Sequence, residues 1–499
     1  MTDQDKMRKP ARVRVAPSPT GHMHLATART ALYDYLLARQ TGGKFVLRIE
    51  DTDVRRTVPG SEQELMDGLR WLGLEYDEGP DIGGPFGPYR QTERRDLYLE
   101  HANILVERGA AYPCFCTPER LEKMRAEQQK QKLPPHYDGL CRRLDRDEAR
   151  RRVASGERHV IRFKMPKEGT TTARDALRGD IVIENKNIDD YVILKSDGLP
   201  TYHLAAMVDD HHMQITHVLR GAEWLSTFPL HVNVVRAFGW EEPEWVHLSL
   251  FLKPSGKGKL SKRDASEAIK DGYSVFVKDL QDLGFIPEGV LNWIVLMGWG
   301  VAEDDVLTLK DMVERFDVRH LTASPAAINF TKLDHFNGTH IRLLSDTDFA
   351  RRVRPFFASQ ALPVKDEMLE RIAPLIKERV TTLDEAPNLA AFFFRPEVTP
   401  LREELTPKGM DARLASEILN ESITLIQALP QFTAEAAEPP FRQLVERMQR
   451  SAGEVFGVLR VAVTGQKVSP PLFQSMEIVG RETVLKRLRA AMEILAQDS

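Results

Sequence analysis

The chain is poor in cysteine, with three among 499 residues, all between positions 114 and 141. That excludes a disulfide framework, and the clustering points toward a metal. No uninterrupted apolar run approaches the roughly 20 residues that a membrane-spanning helix needs. The N-terminal MTDQDKMRKP lacks the apolar core of a signal peptide, so a cytoplasmic location is expected. Positive charge is not in excess either: 69 Lys and Arg face 73 Asp and Glu, a net charge of −4. Phosphate binding follows local charge rather than the total, so this balance neither suggests nor excludes RNA. With 42% hydrophobic and 28% charged residues the composition is that of a soluble globular chain. Its length calls for several domains rather than one core.

What is present is organised around residues 12–30, RVRVAPSPTGHMHLATART. Arg12 to Ala16 alternate polar and apolar residues and predict a short buried strand. Pro17-Ser18-Pro19-Thr20-Gly21 continues neither strand nor helix and predicts a tight turn. From His24, the residues Leu25, Ala28, Leu32, Tyr35 and Leu36 recur at helical spacing. A helix N-terminus at the end of a parallel strand suits a phosphate, because its free N–H groups and dipole face the anion. His22 and His24 there read as protonated donors to a polyphosphate; the plainer alternative is two loop histidines. Far downstream, Lys259-Leu260-Ser261-Lys262-Arg263 lies within KPSGKGKLSKRD. Three cations and a hydroxyl in a glycine-rich loop suit closure over a charged transition state.

Between these stretches, Lys44 to Ile49 predict a second strand, followed by Glu50-Asp51-Thr52-Asp53 at the position where open α/β sheets bind ligands. Asp51 or Thr52 caps the next helix on the plainer reading, and Glu50 remains available to a ligand. Residues 61–74 predict an amphipathic helix. Cys114-Phe115-Cys116, a charged helix from Pro118 to Lys132 and His136-Tyr137-Asp138-Gly139-Leu140-Cys141 form a candidate structural zinc site. Tetrahedral closure needs one more ligand, from Tyr137 or His136; the alternative is three buried thiols. Residues 159–164 and 181–184 are β-like, and Tyr191 to Leu194 lead back toward the sheet. The acids and histidines of Val208-Asp209-Asp210-His211-His212-Met213 have no familiar metal-ligand spacing. Past Arg263, a helix is predicted over Val290–Gly298. Met368, Leu369, Ile372, Leu375 and Ile376 share one helical face, and Leu485, Leu488, Met492 and Leu495 another, with no competing strand pattern.

The strand–PSPTG–HxHLAT–helix unit paired with KLSKR resembles the two signatures of class I aminoacyl-tRNA synthetases. PSPTG, RIEDTD, GPYRQTER and SDGLPTYHLA resemble bacterial glutamyl-tRNA synthetases in particular, with the likeness densest up to Arg263 and weaker to the C-terminus. The resemblance implies an α/β fold: a Rossmann-like catalytic domain (10–90 and 199–258) with an inserted α+β acceptor-binding domain (91–198). Following it would be the KLSKR loop and stem-contact domain (259–343) and two helical anticodon-binding subdomains (344–400 and 401–499). It implies attachment of L-glutamate to the 3′ end of glutamate tRNA through a glutamyl-adenylate, with Mg·ATP as co-substrate, a cytoplasmic monomer and no membrane partner.

By the same resemblance, His24, Lys259, Ser261, Lys262 and Arg263 act in catalysis. Arg14, Ser18, Glu50, Tyr202 and Arg220 hold glutamate, Glu50 receiving its ammonium. His24, Thr27, Glu223, Trp224, Leu260 and Lys262 lie at ATP, and Arg379 reads the anticodon. The zinc ligands would be Cys114, Cys116, Tyr137 and Cys141, because Arg143 stands where the family sometimes has a histidine. Selection against glutamine calls for an unpaired buried cation, assigned to Arg14 with Tyr202. Two positions depart from the pattern: Ala26 replaces a glycine near adenine, and Ala206 replaces an asparagine of the amino-acid pocket. The rival expectations are an enzyme that also charges glutamine tRNA and, in a different class, a catalytically silent tRNA-binding protein.

Overall fold

The computed structural model describes residues 10–260, 273–300, 306–407 and 409–497. It divides into two compact units, residues 1–280 with 291–330 and residues 281–290 with 331–499. The segment expected as one domain over 259–343 is thus shared between them.

The first unit opens with strand β1 (Arg12–Val15), helix α1 (Leu25–Thr41) and strand β2 (Lys44–Leu47), the strands pairing in parallel. His24 is the N-cap of α1, and Gly42 closes it with φ 65°, a left-handed conformation that glycine adopts without strain. A side chain at Gly43 would collide with the Ala11 carbonyl, which lies 1.9 Å from an ideal Cβ. The amphipathic helix predicted over 61–74 is α2 (Ser61–Trp71).

Helix α3 (Arg95–Glu107) leads into the insertion. Strands β3 (Ala111–Cys114), β4 (Val160–Phe163) and β7 (Val192–Leu194) form an antiparallel sheet. The expected charged helix is Pro118–Lys130, and none of its side chains is buried. Strands β5 (Thr170–Asp175) and β6 (Gly179–Glu184) form an antiparallel hairpin. Only β6 has an apolar signature in the sequence. The inward residues of β5 are Thr171, Ala173 and Asp175, too polar and small to announce a strand.

After the insertion come helix α4 (Tyr202–His212), strand β8 (His217–Gly221), helix α5 (Phe228–Phe238) and strand β9 (Glu244–Leu248), with β8 and β9 in parallel. Thr216 joins β8 to β1, its N–H donating to the Arg12 carbonyl at 2.9 Å. Chain direction out of β1 runs one way to β2, and out of β8 the other way to β9. The β1/β8 boundary is therefore a topological switch point, with a crevice outside the carboxyl ends of both strands.

Beyond residue 344 every regular element among the described residues of the second unit is helical. Two separate apolar cores form there, one around Phe349, Phe357, Leu369 and Ile372, the other around Ile418, Phe441, Leu459 and Leu488. On the last helix, Arg481–Ala496, the buried stripe is Val484, Leu488, Ala491 and Leu495; Leu485 and Met492 lie at its edge.

Candidate active site

The switch-point crevice opens into a cavity of about 1190 Å³. Its wall follows from the topology. Arg14 to Ser18 arrive from the end of β1, Glu50 from beyond β2, Tyr202 from the start of α4, and Leu219 to Gly221 from the end of β8. His24 and Thr27 stand at the first turn of α1, and Glu223, Trp224, Lys259 and Leu260 complete the rim. Every described residue that the sequence assigned to glutamate, ATP or catalysis borders this one cavity, although the segments span some 250 positions. Ser261, Lys262 and Arg263 lie outside the described residues.

The two histidines do not act alike. His22 is more than half exposed and its Nδ1 sits 2.7 Å from Glu64 Oε1, away from the large cavity. His24 accepts the Ala26 N–H on its Nδ1 at 3.1 Å. A nitrogen accepting a hydrogen bond carries no proton, so the capping His24 is a neutral imidazole. The expectation of two protonated donors is corrected accordingly: His24 faces the cavity in its neutral form, and His22 is spent on Glu64.

The floor of the cavity is a buried ionic lattice. Arg14 binds Asp210 in bidentate fashion, Nε to Oδ1 at 2.8 Å and Nη2 to Oδ2 at 3.2 Å. Arg48 donates to the same Asp210 Oδ1 at 2.7 Å and to Glu50 Oε1 at 3.2 Å. Arg94 donates to Asp209 at 2.7 Å, and Gln91 and Tyr98 donate to the other oxygen of Asp209. Burial alone would raise the Asp210 pKa, but Arg14 and Arg48 outweigh it and hold Asp210 below its ordinary value. For Glu50 burial wins over the same two arginines and pushes its pKa up to about 7. The acids of the segment 208–213 are thus anchors for arginines, and His211 stacks on Trp240 at 3.9 Å.

This lattice corrects the choice of the unpaired cation. Arg14 is neutralised by Asp210. Arg220 has no carboxylate partner among the described residues. Its Nε donates to His247 Nε2 at 3.0 Å, its Nη1 to the Tyr202 hydroxyl at 3.4 Å, and its Nη2 has no hydrogen-bond partner. Tyr202 in turn stacks on Trp224 with centroids 3.9 Å apart. Among the described residues the carboxylates of Glu50, Asp209 and Asp210 hold Arg14, Arg48 and Arg94, and none of them contacts Arg220. Arg29, also buried at the cavity, is held by the Ser249 and Met297 carbonyls instead. A carboxylate ligand gives Arg220 a counter-charge.

At the rim, Lys259 lies 3.4 Å from Glu223, both about half exposed. Lys259 bridges to Leu252, and the Leu260 N–H donates to the Phe251 carbonyl, which anchors the start of the KLSKR segment beside the sheet. Ala26 borders the cavity as expected for a residue near the nucleotide. Ala206 does not: it is fully buried in the core of the first unit, so its methyl is packing rather than a wall of the amino-acid pocket. In the second unit, Arg379 ends a short turn, Lys377–Arg379, and is exposed. It lies close enough to Arg460 that, after burial, its charge is what lowers the Arg460 pKa. The two like charges add to a local positive potential.

The three cysteine sulfurs converge within 4.8 Å of one another. The Tyr137 oxygen joins them, 3.5 Å from Cys114 Sγ and 3.4 Å from Cys116 Sγ, whereas His136 is turned toward Asp189, 3.7 Å away. Arg162 and Arg120 donate to the sulfurs of Cys114 and Cys116, and the Phe115 N–H donates to Cys141. Donors of this kind favour thiolate, the form that binds metal. The Arg162 guanidinium also lies 4.2 Å above the Tyr137 ring.

Sequence reasoning did not find Arg48, Asp209, Asp210, Asp175 or His247 as parts of the site. Arg48, Asp209 and Asp210 carried a signal, charge within apolar strand or helix runs, whereas Asp175, at the end of the polar run Thr170–Asp175, did not. His247, in Glu244-Trp245-Val246-His247-Leu248, carried none.

A family model described as tRNA synthetases class I (E and Q), catalytic domain, matches residues 10–335, and one described as an anticodon binding domain matches residues 348–492. A glutamate–tRNA ligase of Dehalococcoides mccartyi is 41% identical over 497 residues, covering 98% of this chain and 99% of its own. One from Rhizobium meliloti is 42% identical over 492 residues, covering 97% of each chain. A crystal structure of a glutamate tRNA ligase from Elizabethkingia meningosepticum in complex with its amino acid matches with a TM-score of 0.88 at 36% identity, over 98% of this chain and 100% of that one. A switch-point cavity built from both signature segments, together with this likeness along nearly the whole length, shows that the chain belongs to the class I tRNA synthetases of the E and Q group.

Proposed function

We infer that the chain attaches L-glutamate to the 3′ end of glutamate tRNA in two steps at the expense of ATP. Family membership supports the reaction class. The observation that carries the amino-acid choice is Arg220, a buried cation at the cavity with no carboxylate partner among the described residues. A glutamate side-chain carboxylate satisfies it, whereas the neutral amide of glutamine leaves the charge unbalanced. Glu50, on the other side, takes the α-ammonium, and the ammonium draws Glu50 back to its ionised form.

In the first step a glutamate carboxylate oxygen attacks the α-phosphate of Mg·ATP, a new P–O bond forms and pyrophosphate leaves. The chain's part is positioning and charge neutralisation rather than proton removal. The first turn of α1 offers its N–H groups to phosphate. Lys259, Ser261, Lys262 and Arg263 supply charge and a hydroxyl from the loop, Leu260 lies beside adenine, and Thr27, Glu223 and Trp224 line the nucleotide's share of the cavity. In the second step the terminal ribose hydroxyl of the tRNA takes the glutamyl group and AMP departs. Residues 91–198 receive the acceptor end, 259–343 contact the stem, and the helical subdomains 344–400 and 401–499 take the anticodon arm. Arg379 and Arg460 face that arm's phosphates or bases.

Three sulfurs and a phenol oxygen suit tetrahedral zinc, held by Cys114, Cys116, Tyr137 and Cys141, which would staple the insertion and take no part in chemistry. The family resemblance is what supports a cytoplasmic monomer; among the described residues no helix is long and apolar enough to cross a membrane.

The test is charging of purified glutamate and glutamine tRNAs with labelled glutamate, with Lys262→Ala in parallel. Charging of glutamate tRNA alone, lost in the variant, is the expected result. Charging of both identifies an enzyme that does not discriminate between the tRNAs. Charging of neither, with RNA still bound, overturns the catalytic reading.

A further inference from the structure

Arg220 is held from behind by a second buried pair. On parallel strands β8 and β9, Arg220 and His247 are register partners, and partners in register project their side chains to the same face. His247 is fully buried. Its Nε2 accepts from Arg220 Nε at 3.0 Å, and its Nδ1 lies 2.7 Å from Asp175 Oδ2. Asp175 is itself 1% exposed and sits at the turn of the β5–β6 hairpin. Its Oδ1 accepts the N–H groups of Leu177 and Arg178, and its Oδ2 also accepts the His247 N–H at 2.9 Å. All four bonds to this carboxylate are donated by nitrogen.

These neighbours fix the tautomer of His247 without ambiguity. The carboxylate requires a proton on Nδ1. The guanidinium N–H, which is never lost, requires a bare lone pair on Nε2. His247 is therefore a neutral acceptor. A carboxylate in its place would neutralise Arg220 as Asp210 neutralises Arg14, and would remove the reason for a substrate carboxylate to bind. A neutral acceptor fixes the guanidinium and leaves its charge available.

We propose that Asp175 and His247 are positioning residues for glutamate selection: together they orient Arg220 toward the cavity while leaving its charge uncompensated. The inserted hairpin thereby reaches the amino-acid pocket, since Asp175 belongs to it. The charged and titratable groups around His247 are Asp175 on β5, Arg178 just after it, Arg220 on β8 and His231 on α5, with the Phe228 ring 4.6 Å away. Burial first, then Arg220 and Arg178, lowers the His247 pKa to about 4 against the pull of Asp175, so the acceptor form persists across the working range. This inference rests on the glutamate-activating reading above.

Steady-state kinetics of His247→Ala and His247→Gln in the full chain test it. Loss of a hydrogen bond to a charged group corresponds to roughly 10- to 100-fold, so His247→Ala should raise the glutamate KM by that factor. The ATP KM and kcat at saturating glutamate should stay within about threefold. In His247→Gln the carbamoyl oxygen replaces the Nε2 lone pair and should recover most of the loss. An unchanged glutamate KM overturns the proposal, as does a parallel rise in both KM values with no benefit from glutamine, which is the pattern of mere packing. If His247→Ala does not fold, ¹⁵N-histidine spectra of the wild-type chain, assigned by difference with His247→Gln, decide. An Nδ1-protonated, Nε2-bare ring down to pH 5 supports the proposal, and an Nε2-protonated ring overturns it. A wild-type chain that never activates glutamate fails the function itself, whereas normal wild-type charging with an indifferent His247 fails only the positioning.

Discussion

Arg14 and Arg220 end neighbouring parallel strands and border the same cavity, both at least 96% buried. Across β1 the arginine meets Asp210 and becomes half of a bidentate ion pair. Across β8 it meets a neutral imidazole and a phenol, and keeps its charge. The first is part of the floor and the second is part of the receptor, although the two side chains are chemically identical. A buried arginine is thus assigned a role by what faces it: a carboxylate in the protein makes it structural, and an uncharged acceptor reserves it for a ligand.

The contrast is broken or sharpened most strongly at Asp210. Asp210→Ala strands Arg14 and leaves Arg48 with only Glu50 and the 3.7 Å contact to Asp209, and removing one partner of a buried pair costs about 3–5 kcal/mol. Tryptophan fluorescence reads the first unit alone, because all six tryptophans lie in it, so urea titration should show that loss there. Unchanged stability would mean that Arg14 is not held as described. Arg220→Met should do the reverse. Its removal takes away an uncompensated buried cation, so the midpoint holds or rises, while the glutamate KM increases on the order of 100-fold from two lost charged hydrogen bonds. A stability loss equal to that of Asp210→Ala would erase the distinction between floor and receptor.

A smaller effect belongs to Glu50. Its pKa is raised to about 7 because burial outweighs Arg48 and Arg14. The folded state therefore binds this proton more tightly than the unfolded chain does, and the ionised carboxylate costs stability that grows as pH rises from about 4.5 to 7. Glutamate binding runs against that trend, because its ammonium requires the ionised form. The glutamate KM should rise up to about tenfold per unit as pH falls below 7, and Glu50→Gln should flatten the profile at a high KM. The smallest effect on chemistry is expected at the cysteines. Dialysis against a chelator should remove about one zinc per chain, measured by metal analysis, and expose residues 115–145 to limited proteolysis. Glutamate-dependent ATP–pyrophosphate exchange should change less than threefold, and a larger loss would place the metal in the reaction.

Much of the site was legible in the chain because its segments are local. PSPTG ends a strand and starts a helix, EDTD follows the next strand, and Cys-x-Cys announces its own cluster. The helical second half was legible for the same reason, since apolar spacing of 3.6 needs no distant partner. Strand β5 was not, because its inward face is Thr171, Ala173 and Asp175 and carries no apolar alternation. Nor was His247, one histidine in an apolar strand, whose meaning comes from Asp175, 72 positions earlier.

By itself the sequence determined which local elements form, in what order, and which residue types arrive at the crevice. Only the tertiary structure decided that, of Arg14 and Arg220, the second remains charged toward a ligand. Arg14 meets Asp210 across 196 positions, and Arg220 meets His247 because β8 and β9 are neighbours in register. The physical reason is range. Periodicity, capping and turn chemistry act within a few residues along the chain, whereas neutralising a buried charge depends on the group that sheet topology sets within about 3 Å of it.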